Sequence, residues 1–253
     1  MSANTHAGIT LPPTPRWRRA GLWLAAAAFA LLWVGGVAGQ WLGSAPADEG
    51  RLASLFLLLS GLIVLLGART RRDVMTLAAV ALFGFAVEAV GVRTGVPFGE
   101  YAYTGVLRPQ LLGVPVVMGL AWMALVAFAA DLTGRLRLST WPAAFVGALW
   151  TTAVDLVIDP LAANHFGYWT WASAGDYYGI PFTNFAGWFV TGLLACRMLG
   201  ARRGPNPWAC FTGTAILLFF AAIALAHTLL PVALIGFGLC ALRLLAVWKL
   251  RTD

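Results

Sequence analysis

Charge is scarce in this chain. Only 11% of its 253 residues are Asp, Glu, Lys or Arg, against 60% hydrophobic residues, and the mean hydropathy is +0.80. So few polar groups cannot cover the surface of a soluble domain of this size, which excludes a soluble globular fold. Cysteine is equally sparse. Cys196, Cys210 and Cys240 stand far apart without metal-ligand spacing and read as small core residues. Histidine is limited to His6, His165 and His227, so His165 is expected to lack a His partner for zinc or haem. No basic soluble domain accompanies the net charge of +7, which leaves a nucleic-acid footprint without support.

Long apolar runs are what the sequence does contain. Windows of roughly 20 apolar residues, the length that spans a bilayer, fall at about 20–41, 52–68, 74–92, 111–130, 141–158, 182–199, 208–229 and 232–248. The chain therefore reads as an all-α polytopic membrane protein of eight helices, or seven if the short turn at 227–231 does not separate the last two. Fourteen of the 17 basic residues collect on alternate loops, leaving Arg51, Arg93 and Arg108 opposite. That bias places both termini in the cytoplasm and the protein in the cell membrane. Residues 1–15 read as a disordered cytoplasmic tail, and 16–253 as one integral membrane domain with its catalytic core at about 75–197. A signal peptide ending near Val37-Ala38-Gly39 is the rival reading of 16–40. Gly35-x-x-x-Gly39 reads as a helix-packing motif.

Against this apolar background three acids stand out: Glu88, Asp155 and Asp159. An ionisable group at membrane depth is costly and marks a functional site by default. Asp155 and Asp159 are four residues apart, on one helix face, with Asp155 about one turn (~6 Å) deeper and Pro160 expected to end the helix. The loops after these helices look like copies. Pro97-Phe98-Gly99-Glu100-Tyr101-Ala102-Tyr103 leads to Gly113-Val114-Pro115, and His165-Phe166-Gly167-Tyr168-Trp169-Thr170-Trp171 leads to Gly179-Ile180-Pro181. Two helix–loop–helix units in the same orientation would be related by a pseudo-twofold axis along the membrane normal. The acids, Asn164, His165, Asn184 and the loop aromatics would then converge on one cavity at the outer half of the membrane. An interfacial aromatic belt is the plainer reading of part of this set. Asp176 and Glu100 read as solvated loop charges, and His227 as a structural turn residue.

Glu88-x-x-Gly91-x-x-Thr94-Gly95-x-Pro97-Phe98-Gly99-x-Tyr101-x-Tyr103, with Asp155-x-x-x-Asp159-Pro160 and Tyr177-Tyr178-Gly179-Ile180-Pro181-x-x-Asn184-Phe185-x-Gly187-Trp188, resembles the membrane carotenoid hydratases. That group includes bisanhydrobacterioruberin hydratase and the bacterial carotenoid 1,2-hydratases. The resemblance covers roughly residues 75–197. It implies addition of water to the terminal double bond of an acyclic carotenoid end, with no metal and no redox cofactor. Its partners would be the lipophilic substrate, water, membrane lipid and other carotenoid enzymes.

That chemistry needs a proton donor, a stabilised tertiary carbocation and one positioned water. A carboxyl group in an apolar pocket suits the donor role. Asp155 is the first choice for it as the deeper of the pair, with Glu88 or Asp159 positioning and deprotonating the water. Tyr101, Tyr103, Tyr168, Trp169, Trp171, Tyr177, Tyr178 and Trp188 would line the substrate and stabilise the cation through their ring faces. A lycopene cyclase, which also starts by protonating an alkene, stays open as an alternative. A prenyltransferase lacks a second Asp-rich cluster, and a proton-coupled transporter lacks polar positions in the inner halves of the spans.

Overall fold

The structure, a computed structural model, describes residues 15–44, 46, 48–200 and 206–252, with side chains described as far as residue 246. The tail read over 1–15 lies outside these residues except for Pro15, as do His6, Arg202 and Arg203. Eight helices run in order: α1 Arg16–Leu42, α2 Glu49–Leu66, α3 Arg71–Thr94, α4 Val117–Arg135, α5 Thr140–Asn164, α6 Phe182–Leu199, α7 Pro207–Ala226 and α8 Leu230–Thr252. Between α3 and α4 lie the short strands β1 Tyr101–Tyr103, β2 Gln110–Leu111 and β3 Val114–Pro115; β4, Trp169–Trp171, lies between α5 and α6. The protein is a multi-pass membrane protein. Six helices, α1–α5 and α7, are long and apolar enough to cross a membrane, and α8 contributes a shorter apolar segment, Leu230–Ala246. α6 is not among the six; it carries Thr183 and Asn184 in its first turn and Arg197 in its last.

α4 is the central helix, with 78% of its apolar window buried against 22% for α1. Close approach of its neighbours depends on glycine, as expected where helices pack without a hydrophobic driving force. A Cβ at Gly84 of α3 would lie 2.5 Å from the Cβ of Trp122, and one at Gly61 of α2 would lie 2.7 Å from that of Leu120.

The sequence misplaces two boundaries. The fourth span begins at Val117 and not at 111, because Leu111 and Val114 pair across a tight β2–β3 hairpin. Its central residues, Leu112 and Gly113, have φ of 56° and 82°, the left-handed pair that such a turn requires. The fifth helix does not end at Pro160 but runs on to Asn164 with the proline inside it. A proline there cannot donate to the carbonyl four residues earlier, that of Leu156. That carbonyl is instead satisfied by the Tyr177 hydroxyl, which donates to it at 2.9 Å.

Arg243, counted among the basic loops, is in fact 1% exposed. It is ion-paired with Asp131 at the end of the bundle opposite the strands, where Arg135 also reaches Asp131 at 3.1 Å.

Candidate active site

The two aromatic loops meet as strands. β1 pairs antiparallel with β4 in the register Tyr101↔Trp171, Ala102↔Thr170 and Tyr103↔Trp169. Aligning the copies makes Tyr101 equivalent to Trp169 and Tyr103 to Trp171, so the outer pairs exchange under a twofold rotation and Ala102↔Thr170 lies at its centre. Gly99 and Gly167, which precede the strands, have φ of 101° and 60° and so adopt the left-handed turn conformation that glycine permits.

Beneath this ribbon lie the acids, in two groups. Glu88 on α3 is 5% exposed and receives three side-chain hydrogen bonds. Tyr101 Oη and Tyr103 Oη donate to its Oε2 at 2.5 and 2.9 Å, and Trp122 Nε1 donates to Oε1 at 2.8 Å. Burial first, then the charge of Glu88, pushes both phenol pKa values well up, so both remain protonated donors. Gly91, one turn after Glu88, makes room for this: a Cβ there would stand 3.0 Å from both Phe98 Cδ2 and Tyr101 Oη.

Asp155 and Asp159 on α5 are each 1% exposed. The Asn184 amide on α6 bridges them, with Nδ2 donating to Asp155 Oδ2 at 2.8 Å and to Asp159 Oδ2 at 2.7 Å. Trp169 Nε1 donates to Asp159 Oδ1 at 2.8 Å. Both oxygens of Asp159 are therefore engaged, whereas Asp155 Oδ1 is buried without a hydrogen-bond partner among the described residues. Trp171 packs on Tyr101 at 5.3 Å, and its buried Nε1 is likewise unpartnered.

The remaining residues expected in the site divide. Trp188 stacks on Trp122 at 4.1 Å between ring centroids. Tyr177 is the α5 latch already described, its phenol pKa pushed up to about 12 by burial and the neighbouring Tyr178. Asn164 does not reach the acids, because its amide donates to the Tyr178 carbonyl at 2.7 Å. Tyr168 is buried and stacks on Phe166 at 5.2 Å, away from the carboxylates. His165 also points elsewhere, and it has the His partner that the sequence seemed to deny it. Its ring lies 3.7 Å from that of His227, and both Nε2 atoms contact Gln40 Oε1, at 2.8 and 2.9 Å. A separation of 62 residues hid the pairing.

The expected residues do not all gather on the acids: Tyr168 faces an apolar space instead. A separate apolar cavity of about 190 Å³ lies among α1, α2, α4, α5 and α7, and none of the three acids lines it. Trp169, the donor to Asp159, lines this cavity, as does Trp188, which stacks on Trp122, the donor to Glu88. Gly35 and Gly39 line this cavity, and a Cβ on Gly35 would meet nothing within 4 Å, so Gly35 serves space and not helix contact. Trp122 and Gln40 are the important residues that the sequence reading missed. Trp122 carried a signal, since it stands seven residues after Pro115 as Trp188 does after Pro181; Gln40 carried none.

Residues 52–246 match the family described as carotenoid biosynthesis protein. The chain belongs to that family. Over 130 residues it is 38% identical to the bisanhydrobacterioruberin hydratase of Haloarcula japonica, a stretch covering 49% of this chain and 44% of that relative. The chain thus spans less than half the length of this relative. No solved structure matches it.

Proposed function

We propose that the protein hydrates the terminal trisubstituted double bond of an acyclic carotenoid end group. The observation that carries this reading is the unequal hydrogen bonding of the bridged aspartates. Asp159 accepts a bond on each oxygen, the pattern of an ionised carboxylate. Asp155 keeps one oxygen free to carry a transferable proton. A neutral and an ionised carboxyl held 2.8 and 2.7 Å from one amide nitrogen supply an acid and a base side by side, since two adjacent carboxylates resist joint ionisation.

Asp155 donates its proton to the less substituted alkene carbon, which leaves a tertiary cation on its neighbour. Water attacks that cation and Asp159 takes the released proton. One C–H and one C–O bond form, the π bond is lost, and the proton count closes when the proton returns from Asp159 to Asp155. The reaction is redox-neutral. Glu88, with three donors, is read as a fixed negative charge facing the cation, and the rings of Tyr101, Trp171 and Trp188 add their quadrupoles. We read the strand-bearing end as facing away from the cytoplasm of the cell membrane, on the alternation of basic loops.

The test is conversion of an acyclic carotenoid by the purified protein in detergent containing ¹⁸O-water or D₂O. A tertiary alcohol carrying the oxygen label, with one deuterium at the adjacent carbon, is expected. A cyclised product lacking oxygen would replace this reading with a cyclase, and failure of a folded preparation to bind or convert any acyclic carotenoid would end it.

A further inference from the structure

The cavity beside the carboxylates has a polar end. Its walls are mostly apolar, with Phe56, Leu125, Ile216 and Phe219 among them, and Tyr168 adds a hydroxyl near Glu49. Gln40 and Glu49 line it too, where the ends of α1 and α2 meet. Gln40 is held in one orientation: Oε1 accepts from Nε2 of His165 and of His227, and Nε2 donates to Glu49 Oε1 at 2.8 Å. These bonds occupy both acceptor positions of the amide oxygen and one of its two N–H groups. Among the described residues nothing else bonds the second N–H of Gln40 or the second oxygen of the Glu49 carboxylate that Gln40 holds. A hydroxyl accepts one hydrogen bond and donates another, so it satisfies both.

An apolar space with one fixed donor–acceptor pair at its end suits an amphiphile, because an apolar ligand would leave that pair desolvated and a polar one would waste the walls. Gly35 and Gly39 line it, and the indole of Trp169, which donates to Asp159, forms part of the wall towards the acid-bearing side. We propose that this cavity binds the hydroxylated end of a linear isoprenoid, with Gln40 and Glu49 as the hydroxyl-binding pair. That the hydroxyl is the one formed in the reaction rests on the hydration reading; the binding itself does not. Acid that protonates an alkene also dehydrates a tertiary alcohol. Moving the product end past Trp169 takes it away from Asp155 and favours net hydration.

Two ten-carbon probes test this: myrcene, an acyclic hydrocarbon with the trisubstituted terminus, and myrcenol, its tertiary alcohol. Binding is measured calorimetrically to the full-length protein in nanodiscs, with partition into empty nanodiscs subtracted. Myrcenol should bind about tenfold more tightly than myrcene, the order expected of one well-made hydrogen-bond pair. Gln40→Leu should abolish that preference while retaining myrcene binding, and Gly35→Phe should weaken both probes by filling the space. Equal affinity of the parent for both probes, or variants that bind both as the parent does, would overturn the proposal. If myrcenol is preferred through Gln40 but no substrate is hydrated, the hydration reading fails and this site stands. If hydration proceeds and the variants bind normally, the reverse holds.

Discussion

Trp122 and Trp188 stack 26° from parallel with their ring centroids 4.1 Å apart, although only one of them serves a carboxylate. Each occupies the same place in its own copy of the repeat, so the stack sits where the two copies face each other. Trp122 turns its N–H to Glu88, while Trp188 borders the apolar cavity. Equivalent positions thus have unequal duties, and that inequality can be tested.

Trp122→Phe keeps the stacked ring and removes the N–H. A hydrogen bond to a buried charged group contributes about 1.5–3 kcal/mol, so a drop of at least about tenfold in kcat/KM is expected, with the thermal midpoint recorded alongside. Glu100→Gln, at an exposed loop position, should leave turnover unchanged.

Asp155→Asn should cost at least about 100-fold in rate, the lower range for loss of a general acid, in a protein that still folds. Asn184→Leu should act differently. It strips the shared donor from two buried carboxyls, which costs about 3–5 kcal/mol when a buried charge loses its partner. A lowered midpoint in thermal unfolding would register it before any assay.

Tyr177→Phe should destabilise by about 1 kcal/mol through loss of the bond to the Leu156 carbonyl. Pro160→Ala restores the missing N–H, and in that background Tyr177→Phe should cost less. A double-mutant cycle of unfolding free energies measures the coupling; strictly additive effects would refute the link between the proline and the tyrosine.

Burial, with the adjacent His227, holds the His165 pKa below its ordinary value of 6.5. A histidine depressed in the folded state favours the fold when neutral, so its contribution is complete above pH 6.5 and is lost as pH falls from there through the folded value. Stability should therefore decline on acidification below pH 6.5, and His165→Gln should flatten that decline in unfolding measured across pH.

Cysteines placed at Ala102 and Ser173, both exposed, in a background freed of the three native thiols, should react with an impermeant reagent in intact cells. Reaction only after the inner face is opened would invert the proposed orientation.

Much of the bundle was legible because bilayer thickness imposes its own ruler on apolar runs, and eight of them appear as eight helices. The three acids were legible for the same reason, as expensive groups in an apolar setting. Tertiary compensation was not. Pro160 breaks a local rule, and only Tyr177, 17 residues on, repairs it. Apolar Leu111 and Val114 looked like helix because composition does not encode a left-handed turn at Leu112. Gln40, His165 and His227 meet through the ends of three helices, a proximity that periodicity along one helix cannot report.

The β1–β4 ribbon has a further consequence. Each half of the repeat supplies one strand and has nothing of its own to pair it with, so a half-length ancestor could have assembled this site only as a symmetric homodimer. Such a dimer must carry the same acid on both sides. Joining the copies in one chain lifts that restriction, letting one side keep a single carboxylate ringed by donors and the other acquire a coupled pair. Covalent linkage is thus what permits two chemically different halves to share one symmetric frame.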